Sequence, residues 1–136
     1  MAKTPTAAFA QTPQTLNALT TGADDVTSAP ANTIIIATAG ADGAILTSLT
    51  AIPRADTVTA ISLHLFISQD SGTTKLLINS ALMADHPPLT TTAIPVTDFG
   101  YTEDAPLRLK SGDELYVGAA VALSGGISFN SEWSDF

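Results

Sequence analysis

The sequence contains no cysteine and very few basic residues. Without cysteine, the 136-residue chain has no disulfide bond, thiolate metal ligand or cysteine nucleophile, and it needs no oxidising compartment to fold. Five lysine and arginine residues stand against thirteen acidic residues, which gives a formal net charge of −8. Nucleic-acid binding requires clustered basic side chains, and anionic membranes repel an acidic surface. We therefore expect neither nucleic acid nor a membrane as a partner.

Long apolar runs are also missing. The nearest approach to the roughly 18 residues that cross a bilayer is residues 32–46, which Asn32, Asp42 and two glycines interrupt. The N-terminal stretch has one lysine and no continuous apolar segment, so we do not expect a signal peptide. Only 13% of the residues are charged, so serine, threonine, alanine and asparagine must cover much of the exterior. A neutral surface of this kind can pack against other subunits with little desolvation of charge.

The pattern after residue 33 is typical of short β strands. Ile61, Leu63, Leu65 and Ile67 alternate with mostly polar residues, and residues 58–83 predict a hairpin that turns at Gly72. Further strands are predicted in the following segments: residues 33–39, 44–53, 90–101, 106–122 and 125–136. Because glycine and proline turns separate them and no helical stripe is visible, we expect an all-β antiparallel sandwich or jelly roll of residues 33–136.

The same alternation assigns strand faces. In residues 44–53 it places Ile45, Thr47, Leu49 and Ala51 on one face. In the hairpin it places these residues on one side of the return strand, within what we expect to be core: Leu76, Ile78 and Leu82. Ile127, Phe129 and Trp133 share a face of the last strand.

Residues 1–32 have a different composition, rich in threonine, alanine, glutamine and proline. Three prolines disfavour a long helix there. The segment is interpreted either as a partly ordered tail or as an extended N-terminal arm that lies across a neighbouring subunit. Phe9, Leu16 and Leu19 are its possible apolar anchors.

Residues that could carry chemistry are sparse. His64 lies on a strand without a serine or aspartate at a spacing that identifies catalytic partners, and His86 lies in a proline-bearing loop. Two histidines without cysteine do not complete a zinc site unless carboxylates join them. Paired acidic residues at 24–25, 103–104 and 113–114 could contribute to a calcium site, but no calcium-binding loop motif accompanies them. We therefore expect no catalytic residues, no cofactor and no metal.

Two longer segments and the C-terminus carry a family resemblance. Residues 49–83, then residues 106–122 with the turn "KSGDEL", and finally the tail "SEWSDF" at residues 131–136 resemble small virion proteins of tailed phages and prophages. These proteins are β-sandwich accessory components such as capsid decoration proteins. The resemblance implies a homo-oligomer, expected as a trimer, that is made in the host cytoplasm and binds the major capsid protein on the capsid surface.

Two functions follow as expectations. The first is a structural decoration or cement protein that stabilises the phage head and is not an enzyme. The second is a jelly-roll module of a tail or fibre that binds a receptor or carbohydrate through exposed aromatic residues such as Tyr101 and Trp133. The residues expected to contact a partner are Phe9, Leu16, Leu19, Trp133 and Phe136.

Overall fold

The chain folds into two packed antiparallel β sheets, as seen in a computed structural model that describes residues 12–87 and 90–136. No helix occurs within these ranges, so the prediction of an all-β sandwich is confirmed. The strands have these bounds: β1 Thr12–Thr20, β2 Ile34–Thr38, β3 Ala44–Pro53, β4 Ile61–Ser68, β5 Leu76–Met83, β6 Thr97–Asp98, β7 Leu107–Leu109, β8 Glu114–Ala119 and β9 Ile127–Asp135. None of the described residues forms a helix long and apolar enough to span a membrane.

The strand pairs are nested along the chain. β4 pairs with β5, β3 with both β6 and β7, β2 with β8, and β1 with β9. Pairing of β3 with β9 and of β4 with β8 then completes a five-stranded sheet, β1-β9-β3-β6 with β7 beside β3, and a four-stranded sheet, β2-β8-β4-β5. The chain is thus arranged as one long hairpin, bent at the β4–β5 turn and wrapped into two layers.

The core lies between the two layers and is built from alternate residues of the central strands. Its largest fully buried members include Leu46 and Leu49 of β3, Leu63 and Leu65 of β4, and Phe129 of β9. The period-two alternation of these strands is the reason that one set of side chains meets the facing sheet while the other set faces outward.

The predicted hairpin is confirmed, but only its first strand belongs to the core. Ile61, Leu63 and Leu65 of β4 are buried, whereas Leu76 and Leu82 of β5 are 56% and 68% exposed. β5 is an edge strand, so the sheet covers it on one side only. The prediction that β5 contributes its leucines to the core was therefore wrong. The turn is tight because Gly72 adopts a φ of 90°.

A bulge in β3 changes which of its residues face the core. Its register shifts between Leu46 and Ser48, which leaves Thr47 as an extra residue opposite β9. The buried side of β3 therefore contains Leu46 before the bulge and Leu49 after it. A bulge of this kind reverses the inward and outward sides of a strand. The predicted face for Ile45 and Thr47 was wrong for this reason.

The predicted N-terminal arm overlaps the sandwich. β1 pairs with β9 along its whole length, from Thr12 opposite Asp135 to Thr20 opposite Ile127. The predicted boundary at residue 32 thus does not coincide with a boundary of the folded layers. The part of the predicted arm that includes Phe9 lies outside the described residues.

Candidate interaction surface

The residues predicted to contact a partner lie in three different environments. Leu16 and Leu19 on β1 are 36% and 40% exposed, as a contact surface requires. Trp133 on β9 is buried, and Phe136 is half-buried with its backbone N–H donating to the Gly43 carbonyl. The structure therefore leaves Leu16 and Leu19 accessible on one edge strand, and it corrects the prediction for Trp133.

Trp133 packs inside the sandwich because it shares the inward side of β9 with Phe129. It lies opposite Leu46 of β3 and Gln14 of β1, and only 8% of its surface is exposed. Its indole Nε1 has no hydrogen-bond partner among the described residues. A buried indole cannot stack on a sugar ring, so the carbohydrate-binding alternative loses the aromatic residue on which it chiefly depended.

The edge strands form an uncharged surface. β1, β2 and β5 contain none of the thirteen acidic and five basic residues of the chain. β1 forms one edge of the five-stranded sheet, and β2 and β5 form the two edges of the four-stranded sheet. These edge strands carry most of the exposed large apolar side chains: Leu16, Leu19, Ile34, Leu76, Leu77, Ile78 and Leu82. An exposed apolar strand edge offers unpaired backbone groups together with apolar side chains, and it is a natural site for association.

A loop covers the outer face of the four-stranded sheet. Between β1 and β2 the chain crosses this face, where the Asp24 N–H donates to the Ala119 carbonyl of β8 and the Lys75 N–H donates to the Ser28 carbonyl of the loop. Phe66 points outward from β4, yet it is fully buried. We call residues 21–33 the crossing loop. This loop was not predicted from the sequence, although Phe66 on the outward side of β4 is a signal that this face is covered.

Asp24 closes the crossing loop. Its Oδ1 accepts a hydrogen bond of 2.7 Å from the backbone N–H of Asn32, and the Asn32 side chain donates to the Ala23 carbonyl over 2.7 Å. Asp24 Oδ2 lies against Gly118 of β8, where a Cβ atom would be only 2.5 Å away. The glycine therefore makes the space that the carboxylate occupies.

His64 lies beside this carboxylate and is buried with it. Burial raises the pKa of Asp24 above its ordinary value, against the opposing effect of the Asn32 N–H. Burial also lowers the pKa of His64, against the opposing attraction of the Asp24 charge. Asp24 Oδ2 and His64 Nδ1 have no hydrogen-bond partner among the described residues. The two side chains thus lie together beneath the loop, where burial disfavours the charged form of each.

The two histidines lie at different places in the fold. His86 is held at the Thr57 bridge, and its Nε2 lies 3.0 Å from the Ala93 carbonyl and 3.1 Å from Thr92 Oγ1, away from the β4 site of His64. Both histidines are buried. No group of three potential metal ligands occurs within residues 12–87 and 90–136.

Two depressions on the surface of the described residues are open to solvent. The larger, of about 310 Å³, lies between residues 19–22 and 31–34, and no titratable residue lines it. The smaller, of about 230 Å³, lies beside Ile67 and Leu76 and contains Asp70. Asp70 Oδ1 is engaged in the β4–β5 turn, because it accepts from Ser68 Oγ and from the Thr74 N–H. Neither depression pairs a nucleophile with a base.

Comparison with known proteins adds no family assignment, since no protein-family model, curated protein or solved structure matches the chain.

Proposed function

We propose that this chain is a structural virion protein, a phage capsid decoration protein that binds the major capsid protein and stabilises the head. Its place is the outer surface of the capsid, and its action is to hold shell subunits together by added contact area. The proposal joins the resemblance of residues 49–83, 106–122 and 131–136 to the surface that the fold displays.

One observation carries this proposal. Exposed apolar side chains are concentrated on edge strands that have no charge, although the chain as a whole has a net charge of −8. Acidic groups that cover the rest of an exterior keep a protein soluble and discourage unspecific association. Edge strands without charged residues are suited to binding a protein partner, because few charges need to be desolvated when the partner covers these strands.

The strand order supports the jelly-roll form of the sandwich. In a jelly roll, eight strands form two sheets from a long hairpin wrapped around itself, and viral capsid domains are among the proteins built this way. The nested pairs observed here follow that scheme when β6 and β7, which both pair with β3, are counted as two halves of one strand. Because a fold does not dictate a function, this likeness supports the virion role without carrying it.

The mechanism is geometric. A decoration protein that spans a junction between capsid subunits buries on the order of 1,600 Å² for each specific contact. Opening the shell must then break those contacts as well as the contacts between capsid subunits. We assign the β1 edge, with Leu16 and Leu19, to the shell, because it is uncharged and lies at the side of the sandwich where β1 is next to β2.

Co-sedimentation tests the proposal. The purified chain is mixed at micromolar concentration with empty head shells of the virus that encodes it, and the shells are pelleted. We expect the chain to pellet with the shells and to raise the temperature at which they fall apart. Leu16→Asp or Leu19→Asp should weaken binding at least about tenfold, because each places a charge in a contact that has none.

Val121→Asp is the matched control. Val121 is 45% exposed and lies between β8 and β9, outside the edge strands, so this variant should bind like the unaltered chain. A chain that stays in the supernatant at these concentrations is not a decoration protein. Binding that Leu19→Asp and Val121→Asp reduce equally would contradict the assignment of the β1 edge.

A further inference from the structure

The edge of the sandwich opposite β1 and β2 is formed by β5 and β6. Asn79 of β5 fixes this edge, since its Nδ2 donates to the Phe99 carbonyl and to the Tyr101 hydroxyl in the segment that follows β6. The largest set of exposed apolar side chains on the described chain lies here. Its members are Leu76, Leu77, Ile78 and Leu82 on β5, with Ile94 and Val96 in the residues that lead into β6.

β5 has little of the protection that edge strands usually have. Its sequence, LLINSALM, contains no charged residue and no proline, whereas β1 has Pro13 as its second residue and is mostly polar. Two devices protect β5 in part: a bulge leaves Ile78 as an extra residue opposite β4, and Asn79 Oδ1 accepts a hydrogen bond of 2.8 Å from the backbone N–H of Ser80. Residues 79–83 beyond the bulge pair regularly with β4, and on their other side lies the free edge of the sheet. An exposed, uncharged apolar edge is a surface that a native protein has to cover.

We infer that a second copy of this chain covers it, with the two β5 strands antiparallel across a two-fold axis near Ser80. The four-stranded sheets of two protomers would then form one continuous sheet of eight strands. The inference deepens the proposed function by naming the contact through which the decoration protein associates with itself. It concerns a different edge from the one assigned to the shell.

The charge distribution selects this partner and this direction. A second copy is as acidic as the first, so two copies can approach closely only where acidic residues are absent, and β5 is such a place. The ends of β5 have opposite charges, because Lys75 precedes it and Asp85 follows it. Antiparallel order brings each Lys75 end to the partner's Asp85 end, whereas parallel order would bring like charges together. Lys75 Nζ donates to Thr33 Oγ1 over 3.0 Å and lies 4.6 Å above the Tyr116 ring of β8, so its charge is directed away from the free edge of β5 and reaches a partner only as a long-range field, not as an ion pair.

The size of the edge agrees with the size of a stable contact. Eight residues of strand extend about 27 Å. A standard contact of about 800 Å² per partner therefore requires a strip about 30 Å wide. Packed sheets lie about 10 Å apart, so a strip of this width reaches from the outer side chains of β5 across to the segment that carries Ile94 and Val96. The exposed apolar residues lie on β5 and on the segment that leads into β6, and the exposed Asp98 of β6 lies at the same edge, so the contact free of acidic residues is centred on β5.

Sedimentation of the purified chain alone tests the inference. We expect a dimer at micromolar concentration. Leu82→Lys and Ile78→Lys should each raise the dimer dissociation constant at least about tenfold, because lysine on an edge strand opposes strand pairing. Val121→Lys is the matched control and should leave the constant unchanged, since Val121 is exposed outside this edge. Emission from the buried Trp133 verifies that each variant is folded.

A cross-link provides a second measurement that does not weaken the contact. Because the chain has no cysteine, Ser80→Cys introduces a single thiol. Opposed residues of an antiparallel pair have Cβ atoms about 4.5–5.5 Å apart, which a small adjustment brings into the range of a disulfide. Mild oxidation should therefore convert Ser80→Cys into a covalent dimer much faster than Val121→Cys.

Several outcomes would overturn the inference: a monomer at all concentrations, an oligomer that both lysine variants leave intact, or equal cross-linking of the two cysteine variants. A trimer held together by another surface is an example of an oligomer that both lysine variants leave intact. If the chain is monomeric alone but pellets with shells, the proposed function stands while this inference fails. If the chain dimerises through β5 but does not bind shells, this inference stands while the proposed function fails.

Discussion

The hydroxyl of Ser131 donates a hydrogen bond of 2.6 Å to the backbone carbonyl of Ile36. Ser131 lies on β9 and Ile36 on β2, so this bond joins the two sheets through the core. Ile36 is the extra residue of a bulge in β2, which places it outside the paired register with β8. Both residues are buried, so the serine gives this carbonyl a donor where water has no access.

We expect Ser131→Ala to lower the free energy of unfolding by about 1–3 kcal/mol, because it removes the donor and leaves a buried carbonyl without its partner. Urea denaturation followed through the emission of Trp133 measures the change. Ser128→Ala is the matched control on the same strand, since the Ser128 hydroxyl contacts only the exposed Asn17 side chain. It should change stability by less than about 0.5 kcal/mol. Equal losses in the two variants would show that the bond between the sheets has no special weight.

We predict that the Asp24 carboxylate can occupy its position only because residue 118 is a glycine. In Gly118→Ala the new Cβ would meet Asp24 Oδ2 at 2.5 Å, and the crossing loop would have to move. We expect a loss of about 1–3 kcal/mol, as for other overpacked sites. The loss should be smaller when Asp24→Ala is already present, because the clashing atom is then gone. Asp25→Ala is the control, since Asp25 bonds to Thr27 and is exposed, and it should combine additively with Gly118→Ala.

Asp24→Asn separates the charge of this residue from its hydrogen bond. Asparagine keeps an oxygen for the Asn32 N–H and removes a buried charge. Burial raises the pKa of Asp24, so the folded chain binds a proton more readily than the unfolded chain, and the charged form is a cost that protonation relieves as the pH falls. We therefore expect Asp24→Asn to be at least as stable as the unaltered chain at neutral pH, with the gain disappearing in acid. Asp24→Ala, which also loses the bond to Asn32, should be less stable by about 1–2 kcal/mol. Equal losses for both variants would contradict the assignment of the cost to charge.

The strands that could be predicted from the sequence are those whose alternation is uninterrupted. In β4 and β9 most residues of the predicted apolar side are buried: Ile61, Leu63, Leu65, Ile127, Phe129 and Trp133. Ile67 is only half-buried, and the other side of β4 is buried as well, beneath the crossing loop. β3 and β5 contain bulges at Thr47 and Ile78, where one extra residue reverses the two sides. A bulge leaves no mark in the apolar pattern, because it depends on how the neighbouring strand is paired.

The candidate surface could be predicted only in part, for a similar reason. Leu16 and Leu19 were recognised as apolar residues in a polar segment, and they are exposed. Whether a strand lies at an edge depends on contacts between distant parts of the chain, so the exposure of Leu82 could not be deduced from its apolar neighbours. Trp133 illustrates the opposite error, since its shared side with Phe129 already indicated burial, whereas it was expected among the residues that contact a partner.

The stability of the fold should also depend on pH through His64. Burial of His64 in β4 lowers its pKa below the ordinary 6.5, although the Asp24 charge opposes this effect. The folded chain therefore favours the neutral imidazole. The stability that this preference contributes is fully present above pH 6.5 and is lost as the pH falls from 6.5 toward the lowered pKa. The charge of Asp24 acts directly on His64. The charges of Asp25 on the same loop and of Lys75 before β5 act in turn on Asp24.

His64→Leu tests this dependence, because leucine fills the site on β4 without a group that can be protonated. We expect the unaltered chain to lose more unfolding free energy than His64→Leu between about pH 7.5 and pH 5.5, the interval in which a histidine near its ordinary pKa changes charge. Urea denaturation at several pH values, followed by Trp133 emission, gives the two slopes. Ser128→Ala is the control, because it leaves both histidines and the Asp24–His64 pair in place and should keep the slope of the unaltered chain. Identical slopes for His64→Leu and the unaltered chain would mean that the imidazole beneath the crossing loop gains its proton without cost, and the effect of burial described above would then be wrong.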